Sequence, residues 1–88
     1  MTIEERHAIE ITEAELKLLI WALSESLTAN HRAIRNLEKS IGSTYYLETK
    51  NMLSKSYNEL VRKTNELREM KNNYVKRLVE LDQKRRGM

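Results

Sequence analysis

A chain of 88 residues has room for one domain, and a domain this small needs long, efficiently packed helices or association with other chains to be stable. No proline, two glycines and 33% charged residues favour solvated helices over a sheet protein. The absence of cysteine excludes disulfides and cysteine zinc sites. No apolar run approaches the ~20 residues that cross a bilayer, and the acidic start lacks the basic opening of a signal peptide. We therefore expect a soluble cytoplasmic protein without a membrane contact.

The first predicted helix covers residues 12–41. Thr12 and Glu15 have the spacing of a capping box, and Gly42 is suited to the left-handed conformation that ends many helices. Within the helix, positions three and four apart form a coiled-coil seam whose only polar member is Asn30. The seam residues are Leu16, Ile20, Leu23, Leu27, Asn30, Ile34, Leu37 and Ile41.

Residues 1–11 precede this helix as a short N-terminal arm. Thr2 and Glu5 are a second capping-box pair. Ile3 and Ile9 could pack the arm back against the helices, so the sequence leaves open whether the arm is helical or extended.

The second predicted helix covers residues 44–85, with Ser43 and Thr44 as candidate caps. The short link makes the two helices antiparallel, so residues 1–88 form one helical-hairpin domain. Folding about Gly42 is expected to set Asn30 beside Tyr57. The seam residues of the second helix are Leu53, Tyr57, Leu60, Thr64, Leu67, Lys71, Tyr74, Leu78 and Leu81.

Two apolar surfaces are left over by this pairing. Leu18, Trp21 and Ala22 lie off the seam of the first helix, and buried aromatic residues with leucine are typical of interface centres. The end of the longer second helix has no counterpart; its candidate interface residues are Tyr74, Val75, Leu78 and Leu81. We expect these surfaces to build a helical-bundle homo-oligomer, with a dimer favoured. The alternative is that the N-terminal arm covers Trp21 and the end of the second helix.

Charge is distributed unevenly along the chain. Residues 1–28 carry six acids against two bases, a formal −4, and residues 71–88 carry six bases against two acids, a formal +4. The hairpin brings these ends together, which lowers the field that phosphates would feel. The candidate contacts for an acidic partner or nucleic acid are Arg32, Arg35, Lys39, Lys76, Arg77, Lys84, Arg85 and Arg86.

Catalytic chemistry has little support. His7 and His31 are far apart and show no acid or nucleophile at a spacing that guarantees contact. We predict no enzyme, cofactor or metal site. The favoured interpretation is a non-enzymatic protein–protein interaction module that binds a heterologous partner as adaptor or inhibitor, like many small accessory proteins of bacteria and their phages. A nucleic-acid-binding regulator is the alternative.

Overall fold

The computed structural model describes residues 2–87, which form an extended all-α hairpin. Helix α1 (Ile3–Gly42) and helix α2 (Leu47–Arg86) have 40 residues each and run antiparallel, joined by residues 43–46. The hairpin measures 66 × 14 × 14 Å. Neither of the helices in this part of the chain is apolar over a stretch long enough to cross a membrane. The predicted all-α helical hairpin is confirmed.

The core is one stripe on each helix, spaced at three and four residues. On α1 the predicted seam extends toward the N-terminus through Ile9 and Glu13, both buried together with Leu16 and Leu27. On α2 the centre of the stripe is Thr64, which is 2% exposed, and the stripe continues past Leu81 to Arg85. The remaining seam positions are half-buried, because a two-helix hairpin covers each seam residue from one side only.

Helix α1 begins nine residues earlier than predicted. Thr2 is the N-cap and its Oγ1 accepts a hydrogen bond from the backbone N–H of Glu5 at 3.1 Å, as the second capping-box pair requires. Thr12 lies inside the helix, where its hydroxyl donates to the carbonyl of Ala8 at 2.9 Å. The predicted N-terminal arm is therefore helical, because no proline or glycine interrupts residues 3–12 and continuing the helix buries Ile9 in the seam.

The turn differs from the prediction at the C-cap of α1 and at the N-cap of α2. Gly42 lies within α1 and does not adopt a left-handed conformation, and Ser43 is the C-cap. The hydroxyls of Ser43 and Thr44 donate back to carbonyls in the last turn of α1, so they close α1 and do not cap α2. Helix α2 starts at Leu47, three residues later than predicted, and its N-cap Tyr46 makes no side-chain capping bond.

The helices pair one heptad away from the predicted register. Asn30 Nδ2 donates to Thr64 Oγ1 at 3.2 Å, whereas Tyr57 donates its hydroxyl to Glu38 Oε1 at 3.0 Å. The same faces meet, but each residue of α1 meets a residue of α2 farther from the turn. One cause is the later start of α2. The other is that helical side chains lean toward their own N-terminus, and in an antiparallel pair this lean moves each α2 partner away from the turn.

The end of α2 is covered within the chain. Tyr74, Leu78 and Leu81 are half-buried in the seam against α1, which covers the residues that the predicted register leaves without a counterpart. The reason is the shifted register, which sets these residues beside positions of α1 that the predicted helix of residues 12–41 already contains. Val75 and Val79 lie at the edge of the seam and remain 38% and 50% exposed.

Candidate helix-binding surface

The face of α1 opposite its seam carries an exposed apolar patch. Because positions seven apart lie almost in line on a helix, the side chains of this face follow one another along its axis. Leu18 is 69% exposed and Trp21 65%, whereas Leu16, on the opposite side, is 5% exposed. We call this surface the outer face of α1; it consists of Glu4, His7, Ile11, Ala14, Leu18, Trp21, Ala22, Glu25 and Arg32.

Nothing within residues 2–87 covers this patch. The alternative in which residues 2–11 fold over Trp21 is wrong, because those residues continue the axis of α1 away from it. Ile11 adds a third apolar side chain at 48% exposure, one heptad before Leu18. Single exposed apolar residues are ordinary on protein surfaces, but a contiguous set that includes tryptophan is typical of an interaction site.

The outer face has opposite charges at its two ends. Glu4 lies in the first turn of α1 and is exposed. The predicted basic cluster of Arg32, Arg35 and Lys39 lies on the last third of α1, also exposed. The apolar patch therefore sits between an acidic end and a basic end, and this polarity can set the direction in which a partner helix binds.

The predicted basic tail of α2 is partly neutralised by carboxylates. Asp82 binds Arg85 Nη2 at 2.9 Å through Oδ1 and Arg86 Nε at 3.1 Å through Oδ2. Arg85 Nη1 also lies 3.7 Å from Glu13 Oε2. The hydrogen bond to Asp82 and, after it, the charge of Glu13 raise the pKa of Arg85 above its ordinary value. The acidic and basic ends of the chain thus meet as predicted, which weakens the tail as a phosphate site.

A cleft of about 270 Å³ lies beside this ion pair, lined by Glu13, Lys17, Leu78 and Arg85 among others. Glu13 is 6% exposed although it is charged, and its Oε1 has no hydrogen-bond partner. The carboxylate occupies a seam position where the neighbouring members, Ile9 and Leu16, are apolar. Its burial is therefore costly to the hairpin.

The other predicted cations of α2, namely Lys76, Arg77 and Lys84, are exposed along its last turns. Both histidines are also exposed. His31 Nε2 lies 3.0 Å from Arg68 Nη2, and because a guanidinium can only donate, that ring nitrogen accepts the hydrogen bond. In the described part of the chain, no group of three or more His, Asp or Glu residues could hold a metal ion.

The sequence interpretation missed a second exposed surface at the tip of the hairpin. Tyr45 is 99% exposed, Tyr46 79% and Leu47 72%, and Met52, one turn into α2, is 71% exposed. The signal was present as three consecutive large apolar residues with no counterpart in the seam. They fall outside the 3–4 seam spacing, because Tyr45 and Tyr46 lie in the turn and Leu47 is the first residue of α2.

No protein-family model, no curated protein and no solved structure matches this chain.

Proposed function

We propose that this chain is a non-enzymatic protein–protein interaction module, a small adaptor or inhibitor-type accessory protein that binds its partners through the outer face of α1. The observation that carries the proposal is the exposure of Leu18 and Trp21 on a face that the hairpin does not use. Fully burying each of these side chains contributes about 1.5–3 kcal/mol. Tryptophan is also among the residues that most often dominate binding energy.

The expected partner surface is an amphipathic helix. Ile11, Ala14, Leu18 and Trp21 are spaced at three, four and three residues, which is the spacing that knobs-into-holes packing uses. The small side chains beside Trp21 leave room for the knobs of a second helix. The opposite charges at the two ends of the face favour a partner helix whose own charges are reversed.

Nucleic-acid binding is the second candidate, supported by the exposed cluster of Arg32, Arg35 and Lys39. It has less support than protein binding, because Arg85 and Arg86 are already paired with carboxylates. It predicts binding that weakens steeply as salt is added, since each phosphate contact releases counterions. Absence of binding to duplex or single-stranded DNA and RNA at ~50 mM salt would remove it.

The test of protein binding is quantitative capture from the cell in which the chain is made. Three baits are compared: the natural chain, a double variant with Leu18→Ala and Trp21→Ala, and Met52→Ala as a control that removes an equally exposed residue elsewhere. We expect at least one protein to be retained by the first and third baits and lost from the double variant. Identical capture by all three baits would refute binding through the outer face.

A further inference from the structure

The geometry of the outer face points to a specific partner, a second copy of this chain. We propose that two hairpins pair through their α1 helices, antiparallel, with a two-fold axis passing beside Leu18. This inference rests on the proposed use of the outer face for binding, and it adds the identity and orientation of one partner.

One pair of opposite charges on the face, Glu4 and Arg32, is placed symmetrically about Leu18. Glu4, Ile11, Leu18, Glu25 and Arg32 follow one another at intervals of one heptad. Glu4 and Arg32 each lie ~21 Å along the helix from Leu18, at ~1.5 Å per residue. A two-fold axis at Leu18 therefore sets Glu4 of each copy opposite Arg32 of the other, with the two Leu18 side chains in contact at the centre.

The same charges oppose a parallel arrangement. Parallel pairing would place Glu4 against Glu4 and Arg32 against Arg32, and like charges that face each other across helices are unfavourable. In the antiparallel arrangement Trp21 of one copy packs beside Ala14 of the other, a large side chain over a small one. Glu25 then faces Ile11, where its carboxylate stays in solvent at the edge of the contact.

The size of the contact predicts a weak dimer. From Glu4 to Arg32 the outer face is ~42 Å long and about 10 Å wide, so each copy buries roughly 420 Å². The total of about 850 Å² is below the range of stable complexes and typical of transient ones, so we expect a micromolar Kd. Two such hairpins joined along α1 form an antiparallel four-helix assembly.

Sedimentation equilibrium between about 1 and about 500 µM, on either side of the expected Kd, tests the dimer. The natural chain should pass from monomer to dimer within this range. The double variant with Leu18→Ala and Trp21→Ala should bind itself at least ~30-fold more weakly, because each copy loses two large apolar side chains from the contact. Met52→Ala should leave the Kd unchanged.

Charge reversal tests the orientation. Glu4→Lys or Arg32→Glu alone disturbs two symmetry-related pairs and should weaken the Kd about 2- to 30-fold. The two reversals together rebuild both pairs and should return the Kd to near its original value. Glu5→Lys is the matched control: it changes the charge in the same helical turn, off the outer face, and should leave the Kd unaltered.

The outcomes separate this inference from the proposed function. A natural chain that stays monomeric over the whole range overturns the dimer, while capture of another protein that depends on Leu18 and Trp21 would still support the outer face as a binding site. If the effects of the two charge reversals on the Kd add, so that the double variant is weaker than either single variant, the antiparallel arrangement is overturned. A dimer that is insensitive to Leu18 and Trp21 overturns pairing through the outer face, while the capture experiment still decides the proposed function.

Discussion

Replacing Glu13 by leucine should stabilise the hairpin. Glu13 is 6% exposed in a seam position, its Oε1 has no partner, and its Oε2 is 3.7 Å from Arg85. An unpaired buried acceptor costs about 1–3 kcal/mol, and a buried leucine contributes about 1.5–3 kcal/mol. The lost attraction to the part-exposed Arg85 is worth at most about 1 kcal/mol. The net expectation for Glu13→Leu is a free energy of unfolding higher by about 2–4 kcal/mol.

Urea unfolding followed by far-ultraviolet circular dichroism measures this difference, at a chain concentration where the natural protein is monomeric. For a chain of this size the change corresponds to a rise in Tm on the order of 10 to 20 °C. Glu69→Leu is the control, because Glu69 is exposed on α2 and its replacement should change the free energy of unfolding by less than about 0.5 kcal/mol. A Glu13→Leu variant that is less stable than the natural chain would show that the carboxylate is satisfied in solution and would refute the reasoning.

Three further predictions test the seam, the register and the helix start. Leu27→Ala should cost about 2–4 kcal/mol of stability, whereas Leu18→Ala on the outer face should cost less than about 0.5 kcal/mol; equal losses in urea unfolding would contradict the assignment of faces. The hydrogen bond to a carboxylate raises the pKa of Tyr57 above 10.0, so its stabilising effect is present at neutral pH and is lost as the pH rises through the raised value. The stability difference between the natural chain and Tyr57→Phe should therefore shrink above about pH 10, and a constant difference would exclude that contact. Thr2→Ala removes the N-cap and should increase amide hydrogen exchange over the first turns of α1 by a factor that corresponds to about 1 kcal/mol. Thr12→Ala should leave this exchange unchanged. The reverse pattern would place the helix start at Thr12.

The hairpin and its facing surfaces followed from the sequence, because a 3–4 apolar spacing on two helices defines one face of each. The helix start did not, because Thr12 with Glu15 and Thr2 with Glu5 are equally good capping boxes. Local cap signals cannot decide between them; the choice depends on whether residues 3–11 find something to bury, and Ile9 does. Burial against α2 is a tertiary contact, which the local pattern does not contain.

The register was missed for a related reason. A heptad pattern permits pairing at every seven-residue shift, and Asn30 finds a hydrogen-bonding side chain at either Tyr57 or Thr64. The length of the turn and the tilt of the side chains toward each helix N-terminus favour the pairing of Asn30 with Thr64. The patch around Leu18 and Trp21, in contrast, could be predicted from spacing alone, because it is off the seam in any register.

Collisional quenching of Trp21 tests the central claim most directly, since it is the only tryptophan in the sequence and lies one turn from Leu18 on the outer face. The measurement is the acrylamide quenching constant of the natural chain as its concentration rises from about 1 to about 500 µM, the range of the expected association. The outer-face account predicts that the constant falls as dimers form, because the indole leaves water. Association that leaves Trp21 as accessible as it is in the monomer would contradict it.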